Sequence, residues 1–209
     1  MTDADREAIF AHWPNRITGL RFLGALLLFA LLATLVDEPP KAVQWQYFGA
    51  LLLFVAVAAT DALDGYLARK HGVVTAFGRI ADPFVDKVLV VGSLVYLSAM
   101  DWSAVYVPAW ITVVVLAREF LVTGIRGYAE SIGHEFPADR FGKLKMVMQS
   151  VAVGVVLGIH ALPWPIWFQE LLRLIAHVAV AATLITTVGS GLTYVMRMSR
   201  IQRASEAAQ

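Results

Sequence analysis

D-A-L-D-G-Y-L-A-R at Asp61 to Arg69 is followed, eight residues on, by G-R-I-A-D-P-F-V-D at Gly78 to Asp86. Four carboxylates therefore stand inside or beside two runs apolar enough to be membrane spans. An isolated acid at such depth costs about 2.5–3.5 kcal/mol on an insertion scale and is usually functional. Asp61 and Asp64 are spaced i, i+3, and Asp82 and Asp86 i, i+4, so on helices each pair shares one face and two neighbouring helices can aim both pairs at one spot. Converging carboxylates repel unless cations sit between them, and all-oxygen ligation favours a hard divalent ion such as Mg²⁺ or Mn²⁺. The stretch predicts a metal site made of Asp61, Asp64, Asp82 and Asp86.

Outward from that stretch, the chain is too apolar for an ordinary soluble domain. Of its 209 residues, 58% are hydrophobic and 16% charged, and the mean hydropathy is +0.66. These values exclude disorder and predict an integral membrane protein. The net charge of +1 gives no reason to expect a nucleic-acid partner, and in a membrane protein the placement of Lys and Arg carries the information. There is no cysteine, which excludes a disulfide framework, a thiolate nucleophile and a Cys-ligated metal. The opening residues, MTDADREAIF, lack the pattern of a cleaved leader, and none is expected.

The expected fold is all-α, a polytopic membrane protein with six transmembrane helices, an N-terminal amphipathic helix and both termini cytoplasmic. Residues 1–16 read as an interfacial segment that breaks at Pro14. Spans follow at about Ile17 to Val36, closed by D-E-P-P, and at about Trp45 to Arg69. The third is about Asp82 to Ala99, and the fourth begins near Val105 with a polar extension from Arg118 to Glu130. The fifth covers about Leu144 to His160. A-L-P-W-P-I-W-F reads as an interfacial turn, and the sixth span runs from about Ile175 to Arg197. Residues 17–200 form one catalytic domain and 201–209 a cytoplasmic tail, with no repeat. At a rise of about 1.5 Å per residue through a core of about 30 Å, a helix entering near Tyr47 exits near Tyr66, which puts the acids at headgroup level. Of the 17 Lys and Arg, only Lys41 and Arg173 lie at the far connectors. Trp45, Trp102, Trp110, Trp164 and Trp167 gather at that far interface, so the acids face the cytoplasm.

Gly65 and Ala68 lie on or beside the face of Asp61 and Asp64, and Gly78 is four residues before Asp82, so a ligand can press against backbone there. Arg69 adds a planar fork suited to phosphate oxygens. Together these residues describe a cradle for metal-bound phosphates.

The spacing D-x2-D-G-x2-A-R-x8-G-x3-D-x3-D, filled by Asp61, Asp64, Gly65, Ala68, Arg69, Gly78, Asp82 and Asp86, resembles the signature of the CDP-alcohol phosphotransferase family. The likeness extends to P-N-x2-T-x2-R (Pro14, Asn15, Thr18, Arg21), to A-R-E (Ala117, Arg118, Glu119), to Arg126, and to G-K-x-K (Gly142, Lys143, Lys145). The later motifs are most similar to the bacterial branch whose acceptor is glycerol 3-phosphate, apart from Met146, where that branch often has Thr. The resemblance implies two divalent cations, Mg²⁺ or Mn²⁺, on the four aspartates, with Asp86 also taking the proton of the attacking hydroxyl. It implies that Gly65, Ala68, Arg69, Gly78, Asn15 and Thr18 meet the nucleotide of CDP-diacylglycerol, and that CMP leaves. It further implies a homodimer in the bacterial inner membrane, with the lipid bilayer as surroundings and its active site facing the cytoplasm.

The residues themselves point to a second, basic cluster. Arg118 and Arg126 are about two turns apart on one helix and Lys143 and Lys145 open the next, so together they can grip a phosphorylated acceptor. Arg140, Arg200 and Arg203 are explained by positive-inside anchoring alone. Arg118 follows V-V-V-L-A and stands beside Glu119, which reads as a buried polar group. Asn15, Thr18 and Arg21 are spaced for one polar stripe, while helix capping by Asn15 or Thr18 reads equally well. Gly189, Ser190 and Gly191 suit close packing against another helix or subunit, and the five histidines show no paired ligand spacing. The rival readings are the same chemistry on inositol phosphate, phosphatidylglycerol or serine, a membrane prenyltransferase without the D-G-x2-A-R continuation, and a cation transporter, which needs its acids nearer the midplane.

Overall fold

The structure is a computed structural model that describes residues 13–71, 76–133 and 140–206, with backbone alone at 13–14, 61–71, 76–80, 140–141, 143, 202 and 204–206. Its helices are α1 (Trp13–Ala33), α2 (Gln44–His71), α3 (Ala76–Ala99), α4 (Ala109–Ser131), α5 (Arg140–Gly158) and α6 (Ile166–Glu206). No strand occurs among the described residues. The all-α expectation holds, while several boundaries shift.

Residues 1–12 of the expected interfacial segment lie outside the described residues. Pro14 does not break a helix; it sits in the first turn of α1, where a missing N–H costs nothing and the fixed φ suits the helix. The fourth span was expected from Val105, but α4 starts at Ala109 because Pro108, extended at φ −63° and ψ 145°, holds the chain out of the helix until then. It ends on Gly133 at φ 78°, a left-handed position that glycine enters without a Cβ penalty. The expected interfacial turn A-L-P-W-P-I-W-F is shorter than its sequence suggests, since α6 begins at Ile166, directly after Pro165, and runs 41 residues. That is about 60 Å of helix, roughly twice a bilayer core.

Buried positions recur at helical spacing on the inward faces: Ala25, Leu28, Leu32 and Leu35 from α1 and the turn after it, Ala50, Phe54 and Val57 on α2, and Leu89, Leu94 and Leu97 on α3. The outward faces are apolar too. Leu23, Leu27, Trp110, Phe120, Ile185 and Leu192 are exposed, which is the surface expected where hydrocarbon rather than water is the surrounding phase. Asn15–Ala33 and Ile166–Ile201 are long and apolar enough to cross a membrane, and Gln44–Thr60 and Leu144–Gly158 are shorter apolar helices.

Helix α3 packs against α1, α2, α4 and α5, and α6 against α4 and α5. At the C-terminal end of α3, Trp102 donates its indole N–H to the Tyr47 hydroxyl at 2.7 Å and stands edge-on to His160 at 4.6 Å. These rings tie the start of α2 and the ends of α3 and α5 together, which leaves Asp82 and Asp86 at the opposite end of α3.

Close approach of α1 and α2 depends on Gly24, where an added Cβ would come within 2.7 Å of Val57 Cγ2. A β-branched side chain on a helix has one strongly preferred rotamer, so Val57 does not swing away. Gly24→Ala is expected to cost about 1–3 kcal/mol, read as a lower thermal midpoint in detergent. In a Val57→Ala background, where the obstructing methyl is gone, the same substitution is expected to cost nothing further.

Candidate active site between helices α3, α4 and α5

Asn15, Thr18 and Arg21 lie on one face of α1 and are 2%, 3% and 3% exposed. Two of them meet the acids of α3: the Thr18 hydroxyl donates to Asp82 Oδ1 at 2.6 Å, and the Arg21 guanidinium forms an ion pair with Asp86. Of the two readings of this stripe, the hydroxyl of Thr18 is engaged across the helix interface and not in capping. Burial of Arg21 in an apolar helix is offset by that ionic partner. Pro83 falls between the two acids without ending α3.

Asp82 and Asp86 form one wall of a cavity of about 550 Å³ whose other walls come from α4 (Arg118, Glu119, Thr123, Arg126) and α5 (Gly142, Lys145, Met146, Gln149), with Tyr194 of α6. The cavity thus unites residues from the acidic and the basic clusters. Arg118 donates from one terminal nitrogen to Glu119 Oε1 at 3.2 Å and from the other to the Ser190 hydroxyl, and its guanidinium lies 5.7 Å from the centre of the Tyr194 ring. Lys145, only 6% exposed, donates to the same Glu119 oxygen. Lys87 reaches across from α3 to the Thr123 hydroxyl at 2.6 Å. Gly191 faces the Arg118 stem, and a Cβ there would come within 3.4 Å of its Cγ, whereas a Cβ at Gly189 would meet nothing within 4 Å, so of the two glycines Gly191 serves a helix contact.

Asp61, Asp64, Gly65, Ala68 and Arg69 belong to α2, Gly78 to α3 and Lys143 to α5; for all of them the side chains, or the place a side chain would occupy, lie outside the described residues. Among the described residues no three acids or histidines converge on a metal position. Asp82 and Asp86 are nevertheless hard oxygen donors on one cavity wall, a donor set that fits half of a divalent-ion centre. The polar cavity also meets a second hollow, an apolar groove of about 580 Å³ between α2, α3 and α5, lined by Leu51, Phe54, Leu89, Val147, Val151 and Val155. Asp86, Val90 and Met146 border both.

Glu119, Lys87 and Thr123 line the cavity but were not picked out as site residues by sequence reasoning, whereas Arg21, already placed in the polar stripe of α1, borders the adjoining groove. Glu119 carried a signal in its place beside a buried arginine. Lys87 carried none, because one residue beyond Asp86 on a helix normally points about 100° away.

The site thus joins an acid wall, a group of cations facing it and an adjoining apolar groove. The family model described as CDP-alcohol phosphatidyltransferase matches residues 11–193, and the chain belongs to that family of membrane-associated transferases. It is similar to the CDP-diacylglycerol–glycerol-3-phosphate 3-phosphatidyltransferase of Bacillus subtilis, at 33% identity over 83% of this chain and 90% of the relative. A probable phosphatidylglycerophosphate synthase of Mycobacterium tuberculosis is 38% identical over 72% of this chain and 66% of its own length. A CDP-diacylglycerol–glycerol-3-phosphate 3-phosphatidyltransferase of Rickettsia typhi is 39% identical over 51% of this chain and 57% of its own length.

Proposed function

We propose that the chain transfers the phosphatidyl group of CDP-diacylglycerol to glycerol 3-phosphate, giving phosphatidylglycerophosphate and CMP. The observation that carries the reading is the meeting at Asp86 of an apolar groove, suited to acyl chain, with a polar cavity holding Arg118, Arg126 and Lys145, suited to an acceptor phosphate. The names of the similar bacterial proteins support the same donor and acceptor.

In this mechanism Arg118, Arg126, Lys143 and Lys145 hold the acceptor phosphate and thereby bring its free hydroxyl toward Asp86. Asp86 takes the hydroxyl proton as the new bond to the lipid-side phosphorus forms and the bond from that phosphorus to the CMP oxygen breaks. Arg21 holds the Asp86 carboxylate at the cavity wall. Asn15 and Thr18, with Gly65, Ala68, Arg69 and Gly78, accommodate the nucleotide. Two divalent cations, Mg²⁺ or Mn²⁺, held by Asp61, Asp64, Asp82 and Asp86, would neutralise pyrophosphate charge and stabilise departing CMP. The protein would span the bacterial inner membrane six times with both termini and the cavity on the cytoplasmic side, as a homodimer, in keeping with the placement of Lys, Arg and Trp.

The test is CMP release by the purified protein from CDP-diacylglycerol with each candidate alcohol in turn. Glycerol 3-phosphate is expected to support turnover well above inositol phosphate, serine or phosphatidylglycerol. Protein that is inert with glycerol 3-phosphate but active with another alcohol refutes the acceptor.

A further inference from the structure

Glu119 is a buried carboxylate to which the mechanism above gives no task. It is 6% exposed on α4, and one of its oxygens accepts both from Arg118 on its own helix and from Lys145 on α5. Arg118 is in turn anchored to Ser190 on α6. Thr123 donates to the backbone carbonyl of Glu119 at 2.7 Å and accepts from Lys87, so two cations from two helices meet on this one carboxylate and a third, on α3, is linked to its backbone through Thr123. Two buried cations side by side repel, and their separation is set by whatever anion lies between them.

Resting on the proposed function, we infer that Glu119 is a positioning residue that spaces Arg118 and Lys145 for the phosphate of the acceptor, and so sets acceptor affinity without touching substrate. The carboxylate balances one of the two charges and leaves the pair with a net positive charge toward the cavity. A neutral side chain of the same size leaves the cations to separate, and the fork of Arg118 no longer meets phosphate oxygens in register with the Lys145 ammonium.

The experiment is steady-state CMP release by full-length Glu119→Gln and Glu119→Asp, varying acceptor and CDP-diacylglycerol separately. Glu119→Gln is expected to raise KM for glycerol 3-phosphate by roughly 10- to 100-fold, at the low end of the cost of truncating one partner of a buried charge pair because the amide oxygen still accepts from the cations, with KM for CDP-diacylglycerol within about twofold. Glu119→Asp, which keeps the charge, is expected to recover a large part of that affinity. An unchanged acceptor KM in Glu119→Gln overturns the inference. So does a loss of donor and acceptor use together, or of the folding transition, in both variants, because either assigns Glu119 to folding alone. If only the Gln variant fails to fold, a selective rise of acceptor KM in Glu119→Asp supports the inference and a normal value overturns it. Wild-type protein that releases no CMP with any phosphorylated alcohol refutes the proposed function itself, before any variant is made.

Discussion

Asp86→Asn is expected to lower CMP release by about 10²- to 10⁴-fold, the span attributed to a positioned general base, while CDP-diacylglycerol still binds. Asparagine is nearly the same size, and its carbonyl oxygen still accepts from the Arg21 guanidinium that pairs with Asp86, so the α1–α3 contact survives. What disappears is the ability to take up a proton at the point where groove and cavity join. Single-turnover CMP release, beside equilibrium binding of the nucleotide lipid, separates the two. Near-normal turnover at neutral pH removes Asp86 from the role of base.

Arg118→Ala is expected to raise KM for glycerol 3-phosphate by roughly 10²- to 10³-fold. Each charge-assisted hydrogen bond contributes about 1.5–3 kcal/mol, and a forked guanidinium offers two to one phosphate. The KM for CDP-diacylglycerol should move little, because Arg118 lies on α4, across the cavity from Asp82 and Asp86. Arg118→Lys should restore only part of the loss, since an ammonium cannot reproduce the fork. Equal losses for both substrates would contradict a division of the cavity into donor and acceptor sides.

The apolar runs announced the helices, and the i, i+4 spacing of Asp82 and Asp86 announced a shared face, because both are properties of a single helix. Helix ends were less legible. Pro14 and Pro165 look like breaks in the sequence, yet one sits in a first turn and the other directly precedes an initial residue, positions where proline's lost donor is harmless. The contacts between helices were legible only as needs. A buried Arg118 or Arg21 must find a partner, but Asp86 lies 65 residues from Arg21 and Ser190 lies 72 from Arg118, and no local pattern announces which helix supplies it. Lys145 illustrates the same limit: its charge was visible as part of an anion grip, and its tie to Glu119 was not.

Because the chain has no cysteine, a thiol introduced at Met146, which borders both the polar cavity and the apolar groove, reports directly on whether donor and acceptor meet there. The measurement is the rate at which a water-soluble, negatively charged methanethiosulfonate modifies Met146→Cys, with and without each substrate. Protection by CDP-diacylglycerol and, separately, by glycerol 3-phosphate, each slowing labelling at least about tenfold at saturating concentration, is the result the account predicts. Labelling that neither substrate slows would contradict it.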